Sequence, residues 1–425
     1  MDGFMGSLLG TALRMPLWGA QQVAGWMTQP AGERPRTSLL EETVETFWET
    51  FTAQIVPLLR PDELARLTVA AATHPFETFR YFLPTRDGVL AWGELANKSE
   101  VFGLVPLVPF LIGVPNSPPF QLLELIARSY ALGAFPAVWA IEGLGKSYSD
   151  FVWNQEGSPP RNLLTSGEAL AAPPSSLLML HAGLGLSLAQ RLLTSFDGDP
   201  SEEELRRVVR EIVALDRDNS RPGDLGAAYE SLGLVTRTFQ PPLVARVDRI
   251  LRQDEPDVVG YYWHGVGRAL YFLLPGFLPC GSATWRAYEM AMTEPTDELG
   301  RDNAVAGLTW GFVLVNQRQP SIVAEMLRDH GAELSLVQDA FSNGVASGMM
   351  MRFDTTPDAP FTQEFLDFRP QDAATRVLWD RMVRAPGEIA LRVFYPILRQ
   401  ADRLGEMFRY QPLPVLIQRL KESGA

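Results

Sequence analysis

Glu142-Gly143-Leu144-Gly145 is the first copy of a phrase that organises this chain. It returns as Ala182-Gly183-Leu184-Gly185, Glu230-Ser231-Leu232-Gly233, His264-Gly265-Val266-Gly267, Ala306-Gly307-Leu308-Thr309 and Asn343-Gly344-Val345-Ala346, at steps of 40, 48, 34, 42 and 37 residues. A period of this size marks helical units that bury their apolar faces against their neighbours. Glycine inside a helix lowers stability by about 1 kcal/mol relative to alanine. Pairs of glycines two residues apart, on one helix after another, therefore imply backbones in close approach. Room for a ligand beside the backbone is the other reading. A nucleotide loop is excluded, because it needs a preceding strand and a G-x-G-x-x-G or G-K-[ST] ending, and neither is present.

The phrases fall in apolar segments predicted to be helical at 140–151, 177–193, 225–238, 259–274, 304–316 and 334–351. Charged amphipathic helices are predicted between them at 201–216, 243–253, 283–293 and 321–329. Ser201 is an N-cap ahead of Glu202-Glu203-Glu204, acidic residues that suit the positive end of a helix. The expected fold is all-α: repeated helical hairpins forming a superhelix or toroid-like array, with an N-terminal helical extension. The expected divisions are an apolar arm over 1–37, a helical region over 38–129, the glycine-phrase region over 130–352 and a helical cap over 353–425. The apolar run 101–114 contains Pro106 and Pro109. It reads as a buried irregular or extended segment, with a membrane-dipping hairpin as the alternative.

The chain has 425 residues, 46 % of them apolar, enough for a large core. Its 33 prolines lie between apolar runs and suit many short helices with sharp stops. A net charge of −13 argues against a nucleic-acid partner. The single cysteine, Cys280, rules out a disulfide framework or a cysteine-built metal site within one chain, and fits a reducing, cytoplasmic setting. Residues 1–30 are apolar but interrupted by Arg14, Pro16, Gln21 and Gln22. They read as an arm packed on protein. An interfacial helix at a membrane surface is the alternative, although the basic face usual for such helices is missing.

Over about residues 130–350 the chain resembles an uncharacterised bacterial family associated with enediyne-type polyketide gene clusters. The residues that carry the resemblance are Ile141-Glu142-Gly143-Leu144-Gly145, Leu180-His181-Ala182-Gly183-Leu184-Gly185 and the nine-residue run from His264-Gly265-Val266-Gly267-Arg268 to Ala269-Leu270-Tyr271-Phe272. The family lacks this chain's N-terminal extension and C-terminal tail. The resemblance implies a bacterial origin and a role near a hydrophobic polyene or polyketide product. It supplies no catalytic residues.

Placed in register, the phrases single out the positions where chemistry could be written. Glu142, Glu230, His264 and, less regularly, Asn343 precede the first glycine position; Lys146 and Arg268 follow four residues later, one turn along the same face. Such a ladder could clamp an anionic ligand or act as an acid/base set, or its members could satisfy one another as buried polar groups. His181 could converge with His264 and a carboxylate as a metal set. Trp263 and Tyr271 could line an apolar pocket. Cys280, His74, His330 and Met349-Met350-Met351 read as structural. No cofactor motif is present. Two functional classes remain. The first is a non-catalytic binding or scaffold protein for a partner protein or an apolar small molecule; the second is an accessory enzyme acting on a hydrophobic polyene-like substrate.

Overall fold

The computed structural model describes residues 86–196, 198–273 and 283–422. The predicted arm and the helices predicted before residue 86, with His74 and Cys280, lie outside the described residues. The chain divides into two compact units, 1–103 with 278–282, and 104–277 with 283–425. Every candidate site residue belongs to the second.

The fold is all-α, with no strand among the described residues. Helix α1 spans Arg86–Leu111, α2 Leu122–Ala131, α3 Ala134–Glu156, α4 Leu177–Leu193, α5 Glu202–Asn219, α6 Leu225–Phe239, α7 Val244–Asp254 and α8 Val259–Phe272. After these come α9 Ala283–Thr293, α10 Glu298–Asn316, α11 Pro320–Leu334, α12 Gln338–Thr355 and α13 Pro360–Asp367. The helical run α14 Ala373–Trp379, α15 Ala385–Ile389 and α16 Tyr395–Gln400 is joined by π-helical turns, and α17 is Leu413–Glu422. The N-cap predicted at Ser201 is formed, as one half of a capping box: its hydroxyl accepts from the Glu204 amide while the Glu204 carboxylate accepts from the Ser201 amide.

The six phrases lie on α3, α4, α6, α8, α10 and α12, which pack in chain order. Two residues turn a helix by about 200°, so the two glycines of a phrase face opposite flanks, one toward each neighbour. A Cβ at the first position would strike the carbonyl oxygen of the residue that opens the phrase of the helix before: Gly183 on Glu142, Gly265 on Glu230, Gly307 on His264, Gly344 on Ala306. A Cβ at the second position would strike the helix after: Gly145 on Leu180, Gly185 on Ala228, Gly233 on Tyr262, Gly267 on Ala304. Ser231 stands where a first glycine is expected, and its hydroxyl donates to the same carbonyl, that of Ala182, at 2.8 Å. These reciprocal pairings run antiparallel from α3 through α10. The last junction is parallel, since Gly344 meets Ala306 and Gly348 meets Trp310. Arg352 near the end of α12 then donates to the carbonyls of Ala134 and Phe135 at the start of α3, 2.9 and 3.1 Å away. The last glycine helix thus returns to the first.

The segment 101–114 corrects an expectation. It is helical to Leu111, and Phe110 is exposed. Pro109 has no N–H to offer the carbonyl of Val105. That oxygen instead faces Gly143, close enough that a Cβ there would not fit. The proline inside the helix is tolerated because its orphaned acceptor lies against a backbone without a side chain. One described helix, Pro174–Leu193, is long and apolar enough to cross a membrane, and 78 % of its apolar window is buried in the protein's own core.

The C-terminal segment enters the interior. The amide of Gly405 donates to the carbonyl of Gly223 at 2.7 Å, Tyr410 donates to the Asn303 side chain at 2.6 Å, and Phe408 is fully buried.

Candidate functional site

Four of the sequence candidates meet in the middle of the glycine helices. Nη2 of Arg268 on α8 donates to both carboxylate oxygens of Glu142 on α3, at 2.6 and 2.7 Å. Its Nη1 donates to Glu230 Oε2 on α6 at 3.0 Å. The other Glu230 oxygen accepts from His264 Nδ1 at 3.2 Å, which places the ring proton on Nδ1. Glu142, Glu230 and His264 are 0 % exposed and Arg268 is 3 % exposed.

Aromatic side chains enclose this network. The Arg268 guanidinium lies 4.9 Å from the centre of the Trp310 ring on α10. Trp139 on α3 meets Trp310 edge-to-face at 6.3 Å, and Phe408 stands 5.8 Å from Trp310 and 6.2 Å from His264. His264 Nε2, Arg268 Nε, Trp139 Nε1 and Trp310 Nε1 are all buried without a hydrogen-bond partner among the described residues.

The charges in this space are unequal. Burial opposes ionisation of Glu230, yet Arg268 and the His264 hydrogen bond outweigh it and hold its pKa below the ordinary carboxylate value. Burial dominates at Glu142 and raises its pKa, with Glu230 adding to the rise and Arg268 opposing it. Burial works against the charge on Arg268, but the two carboxylates more than offset it and keep the guanidinium protonated. Two carboxylates share one guanidinium.

The remaining candidates are engaged elsewhere. Lys146 pairs with Asp150 at 2.6 Å instead of Glu142. It lies one turn further along α3, where the helix reaches the surface and Asp150 is its own i+4 neighbour. Asp150 also accepts from Ser187 and Arg191. His181 donates from Nδ1 to the Leu177 carbonyl at 2.7 Å and accepts at Nε2 from the Arg221 amide at 3.0 Å. Both ring nitrogens are therefore used, and burial pushes its pKa down to about 4. It does not join His264, and the described residues contain no group of three or more His, Cys, Asp or Glu able to hold a metal ion. Trp263 donates to Asp248 at 2.7 Å, the Tyr271 hydroxyl accepts from Asn316 at 2.8 Å, and Asn343 donates to the Gln411 carbonyl at 2.7 Å. His330 stacks on Trp285 at 4.1 Å, and the three methionines are fully buried.

Sequence reasoning passed over Trp139, Phe408, Asp224 and Asp354. Trp139 lies one turn before Glu142 on the same helix, so a helical projection of α3 could have found it. Nothing local marks Phe408 or the two aspartates, which reach their places through tertiary packing. Compared with family models, with curated proteins and with solved structures, the chain finds no match.

Proposed function

We infer that this is a non-catalytic binding or scaffold protein, whose helical frame presents a surface to a partner protein or an apolar ligand. The observation that carries the reading is the closure of the polar centre. Glu142, Glu230 and His264 have no exposure, and Arg268 saturates three of the four carboxylate oxygens. A general acid or base must come within hydrogen-bond reach of its substrate, and this set reaches only itself. Its physical work is to lock α3, α6 and α8 together, since separating one partner would strand a buried charge.

A second reading, an accessory enzyme of hydrophobic polyene or polyketide biosynthesis, draws on the unpartnered His264 Nε2 and Arg268 Nε beside Trp310. One experiment separates the two. His264→Gln and Glu142→Gln are introduced in a producing host, and circular dichroism checks that each variant is folded. Unchanged product formation supports binding or scaffolding. Loss of product from a folded, normally abundant variant overturns it in favour of catalysis.

A further inference from the structure

A second polar cluster lies away from the central network and uses none of its residues. Asp224 precedes α6 and Asp354 ends α12; each is 3 % exposed. Asp354 Oδ1 accepts from the Tyr395 hydroxyl at 2.9 Å, with Arg399 Nη1 at 3.6 Å. Arg399 also accepts, through its carbonyl, the amide of Asp402, and Asp402 lies against Gly223, beside Asp224. Tyr130 on α2 is bonded to Ser175 at 2.8 Å; burial raises its pKa, and the charge of Asp354 adds to the rise. Segments distant in the chain therefore converge on two carboxylates.

The unmet chemistry is specific. Asp224 Oδ2 and Asp354 Oδ2 are buried and accept no hydrogen bond among the described residues. Buried acceptors without donors are unfavourable and rare. The cations nearby do not meet the demand. Arg221 spends its guanidinium on the carbonyls of Leu164 and Ala169, and Arg399 reaches only Asp354 Oδ1. Asp402 adds a third negative charge at the exposed rim. Burial, followed by Asp402 and Asp354, pushes Asp224 up to about 7, and burial pushes Asp354 up to about 6. Tyr130, Tyr395 and Arg399 are half-buried.

We propose that Asp224 and Asp354 floor a binding site for a protonated amine, whose N–H donors meet the two open carboxylate oxygens beside Tyr395. An ammonium group supplies the donors and the positive charge that both carboxylates lack. A neutral alcohol supplies only a donor. Protons compete for the same oxygens, so occupancy rises as both groups ionise.

The test is calorimetric titration of the full chain with putrescine at about pH 8, above both raised values. Saturable binding is expected, with none for 1,4-butanediol, which has the same length and no charge. Asp224→Asn and Asp354→Asn each weaken binding about tenfold or more, the loss expected for one charge-assisted hydrogen bond. Lowering the pH to about 5 weakens it similarly. Asp402→Asn, at an exposed position whose left-handed backbone asparagine also adopts, weakens it less and keeps the comparison available if a buried variant loses helicity. Absence of saturable binding at about pH 8, an equal response to butanediol, or unchanged affinity in the folded aspartate variants overturns the proposal. The result is independent of the product assay on Glu142 and His264.

Discussion

Arg268 Nη2 spans both carboxylate oxygens of Glu142, 2.6 and 2.7 Å away, across 126 residues of chain. The same guanidinium holds Glu230, so three helices depend on one cation. Arg268→Ala leaves two buried carboxylates facing each other and is expected to destabilise the protein by about 3–5 kcal/mol. The combination Glu142→Met, Glu230→Leu, His264→Leu and Arg268→Met removes all three charges together with the imidazole that Glu230 holds, and leaves an apolar centre of similar volume. It is expected to unfold within about 1.5 kcal/mol of the wild type, or above it. Urea midpoints of the single and quadruple variants decide the matter. A quadruple variant as weak as Arg268→Ala would mean that the charges themselves stabilise the fold.

Gly183→Ala and Gly265→Ala place a methyl group on the carbonyl oxygens of Glu142 and Glu230. Both neighbours are backbone, so relief requires moving a helix. A loss of about 3 kcal/mol or more is expected, at or beyond the upper end of ordinary overpacking. Gly348→Ala is the comparison, since its nearest atom would lie 3.3 Å from the new Cβ; its cost is offset by alanine's better helix propensity, and about 1 kcal/mol or less is expected. Equal thermal shifts for the three variants would contradict the close-approach account.

The order of the glycine helices was legible in the sequence because close approach leaves a local signature. Segments 177–193 and 283–293 were bounded as observed; Pro173 and Pro174 stand just before the first and Pro295 just after the second. The register of the phrases also brought out Glu142, Glu230, His264 and Arg268, which share the interior face of their helices. The same register misassigned Lys146. Four residues carry α3 from its buried stretch to its surface, and no spacing rule reports where a helix emerges. Segment 101–114 failed for a related reason. Proline argues against a helix only if its freed carbonyl has nowhere to go, and Gly143 accommodates that of Val105. Phe408, Asp224 and Asp354 depend on contacts between ends of the chain, which periodicity cannot see.

Phe408 is fully buried between His264 and Trp310, at the end of a short 3-10 turn spanning Leu404–Phe408. Phe408→Ala is expected to lower stability by about 3–5 kcal/mol. It should also speed amide exchange in 402–411, because the turn loses its main apolar anchor while keeping its hydrogen bonds to Gly223 and Asn303. Hydrogen exchange followed by mass spectrometry reads both effects. Exchange unchanged in 402–411 would show that the polar contacts alone hold the segment.

The stability of the protein carries two opposing pH dependences. Asp224 rises from 3.8 to about 7 on folding and Asp354 from 3.8 to about 6. Above about pH 4 the unfolded chain has released these protons while the folded chain retains them. Their contribution is therefore full below the unfolded value and is lost as pH rises toward 7. His181 runs the other way: its folded pKa falls from 6.5 to about 4, so the unfolded chain takes up the proton first, and stability is lost as pH falls through that window. Each group contributes a slope of at most about 1.4 kcal/mol per pH unit. Asp224→Asn removes one such acidic contribution. The variant is expected to be more stable than the wild type at pH 8, by an amount that shrinks steadily as the pH is lowered toward 4. Urea midpoints taken across that range test the sign: a difference that stays constant, or grows on acidification, would place Asp224 outside the titrating set and leave the wild-type slope to other groups.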